Sequence, residues 1–279
     1  MKRTSLTQKL LAVALIGGLL AGCSKGDTET DQAATHKALD PQNITVGAIG
    51  GPHEQILEAV KALAAKDGVT INVKVFNDFN IPNIALAEGS IDANSYQSLP
   101  FLTLQKQDQG FKLTEAFKTI ALPMGIYSSK VTDLKDLKPG AKVGIPNDPA
   151  NELRALQLFE AAGVITLKPG LTDKATKRDI AENPLNIDFQ ELMAPQIPTQ
   201  LPELDAAAIN TNFALHAGLT LKDALHHEIL EGNPHTNYIV VRDENINDEA
   251  VKVLQKYYQS PEVKAFILET FNGSLIPSF

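Results

Sequence analysis

Asn151 and Arg154 are the residues of this 279-residue chain whose types and spacing most directly suggest chemistry. They stand three apart in NELRALQLF, so on a helix they share a face and reach the same space. The Arg guanidinium is a planar fork of donors that matches a carboxylate, and the free N–H groups of a helix start favour the same anion. The pair therefore reads as a carboxylate cradle, with an ordinary surface Arg on an ordinary helix as the alternative. The elements that would position it lie in the surrounding stretch, KVGIPNDPANELRALQLFEAA (142–162). A short β-branched run at 142–145 ends at Pro146. Asn147-Asp148-Pro149 then supplies a capping acceptor followed by Pro just inside a helix. Leu153, Leu156 and Phe159 give that helix a buried stripe.

The rest of the body alternates in the same way. Strand-like runs fall at 44–49, 69–76 and 91–96, with helices at 54–66 and 82–88 between them and another at 99–107. An extended run at 119–127 passes through Pro123. A second series follows, with strands at 142–145, 188–192, 206–209 and 235–241 and helices at 151–162, 213–218, 247–259 and 261–271. This order predicts an α/β fold with parallel pairing and right-handed crossovers, arranged as two lobes.

In open sheets of this kind ligands bind beyond the carboxyl ends of the strands. Here those ends carry Gly50-Gly51, Asn77-Asp78-Phe79, Tyr96-Gln97-Ser98, the 147–151 turn and Asn210-Thr211-Asn212. They are rich in amides, hydroxyls and aromatics, which recognise a small polar molecule more readily than they break one. No G-x-S-x-G, H-E-x-x-H, P-loop or G-x-G-x-x-G is present in the sequence. His226-His227 is a tandem pair whose members point to different faces of a helix, a poor metal site. Asp78 and Asp92 suit capping or strand-end roles better than acid/base work. His53, after a Gly-Gly-Pro turn, either faces the cleft or caps the next helix. The expectation is a protein that is not an enzyme and holds no metal or cofactor.

The N-terminus reads separately. Lys2, Arg3 and Lys9 form a positive region before an apolar run at 10–20 that is too short to span a bilayer comfortably. Leu20-Ala21-Gly22-Cys23 follows, and Cys23 is the only Cys in the chain. This resembles a bacterial lipoprotein signal, with 1–22 removed and Cys23 carrying acyl chains. Residues 24–43 hold almost no large apolar residue and read as a flexible tether. Without Lys2, Arg3 and Lys9 the formal charge falls from −8 to −11. Nothing basic clusters, which excludes the usual electrostatic footprint of nucleic-acid binding.

Five segments then carry a resemblance. FNDFNIPNIALAEGSIDANSYQ (76–97), VGIPNDPANELRAL (143–156), ENPLNIDFQELMAPQIP (182–198), AAINTNFALHAGL (207–219) and NYIVVRDE (237–244) together resemble the NlpA lipoprotein family, the methionine-binding components of ABC importers. The similarity runs in order from about Ile44 to Gly273 and includes the lipobox. It implies a two-lobed, type 2 periplasmic-binding-protein-like fold with a ligand cleft between lobes. We expect lobe 1 to comprise 44–121 and 236–279, and lobe 2 to comprise 122–235.

By the same resemblance Asn151, Arg154, Asn210 and Asn237 contact the ligand, Arg154 on the α-carboxylate and amide oxygens on the α-ammonium. Phe79 and Tyr96 would wall an apolar slot for a thioether. Ser98 stands where the family has a ligand-contacting His, in Ser98-Leu99-Pro100-Phe101 against His-Lys-Pro-Tyr. Leu122 replaces a Tyr, and Phe79 replaces another. The implied function is a lipid-anchored extracytoplasmic protein that binds methionine or a close relative and delivers it to an importer's permease and ATPase. Alternatives are another apolar amino acid, a short methionine-containing peptide, or a surface interaction module without transport. Ser24 after the lipidated Cys resembles an outer-membrane sorting signal, so the two membranes are not separated. On this reading Arg154→Ala removes binding and leaves the fold intact.

Overall fold

Residues 37–279 are described by a computed structural model, so the expected signal segment, Cys23 and the expected tether up to residue 36 lie outside the described residues. In chain order the strands are β1 (Asn43–Ile49), β2 (Thr70–Phe76), β3 (Ala93–Ser98), β4 (Leu113–Ala121), β5 (Gly125–Tyr127), β6 (Lys142–Pro146), β7 (Thr166–Leu167), β8 (Ile180–Glu182), β9 (Asp188–Leu192), β10 (Ala206–Ile209), β11 (His226–His227), β12 (Thr236–Arg242) and β13 (Ile276–Pro277). The α-helices are α1 (Pro52–Ala64), α2 (Ile81–Ala87), α3 (Leu99–Gln109), α4 (Pro149–Ala161), α5 (Ile197–Gln200), α6 (Thr211–His216), α7 (Glu249–Tyr258) and α8 (Pro261–Phe271).

Two mixed sheets result. One has the order β13-β4-β12-β3-β1-β2, the other β11-β5-β10-β6-β9. β1 runs parallel to β2 and β3, as the alternating pattern predicts, and β6 runs parallel to β9 and β10. The antiparallel partners were not legible in the alternation. β12 returns antiparallel between β3 and β4, and β5 lies antiparallel to β10. Each sheet has its own core. Ile44, Val46, Ile71 and Val241 pack under α1, α7 and α8 through Ile56, Leu57, Leu254 and Ile267. Val143, Ile145 and Ala206 pack against Leu156 and Phe159 of α4.

The chain passes between the sheets twice, at 122–124 and at 228–235. The extended run expected at 119–127 is therefore two strands of different sheets. Pro123 lacks the N–H that would continue the ladder, and β4 ends before it. Gly125 opens the second sheet where no side chain fits: a Cβ there would lie 2.8–2.9 Å from the buried Tyr127 ring. Gly125→Val is expected to cost about 1–3 kcal/mol by overpacking, measured as a lower urea midpoint at unchanged slope.

Three expectations change. Lys37–Gln42, read as tether, is held to the body: Leu39 packs on the first core and its N–H donates to Asp248 Oδ2 at 2.9 Å. Asn43 belongs to β1. His226-His227 is a strand on the edge of the second sheet rather than part of a helix. Asp78 and Asp92 do what their positions suggested. Asp78 Oδ1 accepts from Asn80 N at 2.7 Å at the start of α2, and Asp92 Oδ2 accepts from Thr45 N at 2.8 Å.

Candidate ligand-binding site

The start of α4 is built by Asp148. Its carboxylate caps the helix by accepting from Asn151 N at 3.0 Å. It also accepts from Asn151 Nδ2 at 2.9 and 3.0 Å, which fixes how that amide points. Asn151 Oδ1 is thereby free to accept from Asn210 Nδ2 at 2.8 Å. Asn210 Oδ1 is left buried without a partner among the described residues. Such an acceptor is costly unless something donates to it. Burial pushes the Asp148 carboxyl up, against the Asn151 hydrogen bonds that favour its charge.

A second amide comes from the other sheet. Asn237 of β12 pairs with Ser98 of β3, and its Nδ2 donates to Tyr96 O at 2.8 Å and to His53 Nε2 at 3.0 Å. With Nε2 accepting, the proton of the neutral imidazole sits on Nδ1, which has no partner among the described residues. Burial pulls His53 down to about 4, so it is neutral near pH 7. Asn237 Oδ1 makes no hydrogen bond among the described residues.

Arg154, one turn into α4, is 7% exposed and already paired. Its Nε donates to Glu228 Oε1 at 2.7 Å and its Nη2 to Glu228 Oε2 at 2.6 Å; Nη2 also donates to Leu122 O at 2.8 Å. Burial alone would raise the Glu228 carboxyl. The charge and hydrogen bonds of Arg154 outweigh that and hold it at about 2. The same burial, aided by Arg154, takes neighbouring His235 down to about 3. Nη1 of Arg154 has no hydrogen bond among the described residues. Glu228 also accepts from Met124 N at 2.8 Å and Asn233 Nδ2 at 3.0 Å. Both crossings between the sheets are thus tied to one carboxylate.

Several of these groups line one slot. Arg154, Asn151, Asn210 and Asn237 line it, as do Phe79, Tyr96 and Ser98. The seven side chains expected to contact a ligand are therefore brought together. Phe79 lies against Tyr96 (6.0 Å between centroids), Phe101 (6.0 Å) and Phe213 (5.1 Å). The Tyr96 hydroxyl donates to Phe79 O at 3.0 Å, and burial raises its pKa well above the usual range, with Asp148 and Asp78 adding to this. One end of the slot is thus amide and guanidinium, the other aromatic.

The sequence reading missed several contributors. Phe101, named only where the chain departs from the family's His-Lys-Pro-Tyr, lines the slot, and Phe213 packs behind it against Phe79. Asn212, whose buried Nδ2 has no partner among the described residues, was visible only as part of a polar strand end. His53 was left between two roles and faces the slot. Glu228 gave no signal, standing 74 residues from Arg154. Among the described residues no group of three or more His, Cys, Asp or Glu is placed to hold a metal ion.

Two sheets joined by two crossings, with a polar and aromatic slot against both, define a two-lobed solute-binding protein. The NlpA lipoprotein family profile matches residues 44–279, and the chain belongs to that family of substrate-binding lipoproteins, which are not enzymes. It is 40% identical over 268 residues to the D-methionine-binding lipoprotein MetQ of Salmonella typhi, covering 94% of each chain. It is 39% identical over 237 residues to outer membrane lipoprotein 3 of Mannheimia haemolytica, covering 84% of this chain and 90% of that one. A nutrient-binding protein from Burkholderia cenocepacia, solved bound to methionine, superposes with a TM-score of 0.82 at 46% identity, over 85% of this chain and all of that one.

Proposed function

We propose that this chain is a lipid-anchored extracytoplasmic solute-binding protein that takes methionine or a close relative into the slot and delivers it to an ABC importer's permease and ATPase. The observation that carries the reading is the set of unsatisfied groups at the polar end. Arg154 Nη1 offers donors to an α-carboxylate. Asn210 Oδ1 and Asn237 Oδ1 offer acceptors to an α-ammonium without placing a full charge there. The Phe79, Tyr96 and Phe101 rings suit a thioether, whose sulfur favours aromatic edges. Ligand names carried by the relatives agree with this chemistry. Residues 44–121 with 236–279 and residues 122–235 would be the two lobes. Acylated Cys23 would hold the body at the membrane, facing the periplasm. Among the described residues no helix is long and apolar enough to cross a membrane.

The test is to purify the full chain in detergent, denature it, and identify any released small molecule by mass spectrometry. Methionine is the expected result, with a thermal shift on adding it back to ligand-free protein, because a ligand that binds only the folded state stabilises it by mass action. Release of another apolar amino acid or a methionine-containing peptide would move specificity to the end near Ser98, Leu122 and Phe79. No ligand and no shift with any amino acid would leave an interaction module.

A further inference from the structure

The Arg154–Glu228 pair is unusual for a carboxylate clamp, because the clamp's charge is already matched. Arg154 is buried and Glu228 mostly so, with side-chain exposures of 8% and 14%. Two hydrogen bonds from the guanidinium, one from Met124 N and one from Asn233 Nδ2 satisfy the Glu228 carboxylate. Oε2 accepts three of these and Oε1 one, and Glu228 does not line the slot, so it is not placed to receive a ligand donor there. Asp148 adds a second carboxylate behind Asn151, while His53 and His235 are uncharged near neutral pH. The polar end of the slot thus contains a cation without an excess of positive charge.

We infer that Glu228 is a specificity-determining residue: by cancelling the Arg154 charge it makes the slot select zwitterions over simple carboxylate anions. This rests on the reading that a ligand carboxylate meets Arg154 Nη1. The reason is Coulombic. A zwitterion carries no net charge, so to first order it gains or loses little from the net charge around the slot. A monoanion feels that charge in full, strongly so in a water-poor site. With Glu228 in place the anion finds a guanidinium whose field is already offset. It also finds Asn210 Oδ1 and Asn237 Oδ1, acceptors that favour an ammonium. Without Glu228 the slot becomes net more positive and the anion gains. The ligand class excluded is the 2-hydroxy and 2-oxo acids that share a side chain with the amino acid.

The experiment titrates the full chain in detergent, freed of ligand, with methionine and with its 2-hydroxy analogue, which keeps the carboxylate and thioether and lacks the ammonium. Wild type is expected to prefer methionine. In Glu228→Gln the affinity ratio of methionine to hydroxy acid is expected to fall by about tenfold or more. Glu228→Asp, which keeps the charge, should keep the ratio. His235→Lys leaves Glu228 in place and adds a cation beside it, so it should also lower the ratio; it carries the test if Glu228→Gln does not fold. A purely structural Glu228 would weaken both ligands alike. An unchanged ratio in Glu228→Gln, or in His235→Lys, overturns the inference, as does a wild type that binds the two compounds equally. A wild type that binds neither overturns the functional reading itself, a result distinguishable from all of these.

Discussion

Arg154→Ala is expected to abolish amino-acid binding and also to destabilise the ligand-free protein by about 3–5 kcal/mol, the usual cost of stranding one partner of a buried ion pair. The sequence alone suggested loss of binding with an intact fold. The difference is Glu228. Its carboxylate is mostly buried and receives two hydrogen bonds from Arg154, at 2.7 and 2.6 Å. With the guanidinium gone, the hydrogen bonds from Met124 N and Asn233 Nδ2 remain, but no charge opposes it. The double variant Arg154→Ala with Glu228→Ala should regain much of the lost stability and none of the binding. Urea unfolding and calorimetric titration of the three proteins separate the two roles. A single variant as stable as wild type would mean that the ion pair does not support the fold, and one that binds normally would remove Arg154 from the site.

Acid is expected to unfold the body early, starting below about pH 6. The unfolded chain protonates its imidazoles near the ordinary value of 6.5, whereas folded His53 and His235 take a proton only near 4 and 3. Between those values the unfolded state binds more protons, so stability falls with falling pH, by about 3 kcal/mol for each His by pH 4. Glu228 acts lower down. Its folded value of about 2 lies below its ordinary 4.5, so its contribution is complete above 4.5 and is lost as pH falls towards 2. Melting temperatures at pH 7.5, 5.5 and 4.5 should drop steeply, and His235→Gln should flatten the upper part of the decline. A melting temperature constant down to pH 4 would contradict the buried neutral state of both imidazoles.

Much of the site was legible because its residues sit where local rules put them. Asp148 and Pro149 announce a helix start, and the spacing of Asn151 and Arg154 gives them a common face. Asn210 ends a short apolar strand, and Tyr96 and Ser98 end another. Asn237 entered only through the family pattern, and so did the ligand-contacting roles given to Phe79 and Ser98. What stayed hidden depends on contacts between distant segments. Glu228 meets Arg154 only because β11 and the second crossing fold back past α4. Phe213 reads as one more buried position until α6 is set against the Phe79 loop. In the fold, the parallel pairs followed from strand–helix alternation. β12 and β13 pair antiparallel because late chain returns to the first sheet, which no local pattern in those residues records. β13 is two residues long, too short for any periodicity.

Both crossings between the sheets are fastened at Glu228, and that placement has a mechanical meaning. If the two halves of the body rock against each other, the motion turns about the segments that join them, and atoms near a pivot travel least. The guanidinium fork sits at that fulcrum, so it stays assembled whether the jaws are apart or together. The Phe79–Phe213 contact is different, since one ring is carried by each half. An arriving amino acid would therefore dock head first onto a ready-made clamp, and its side chain would be gripped last. Departure would run in reverse, with the rings parting before the carboxylate lets go. The rate of arrival would then be nearly blind to the side chain, and the time spent bound would be where one side chain is told from another.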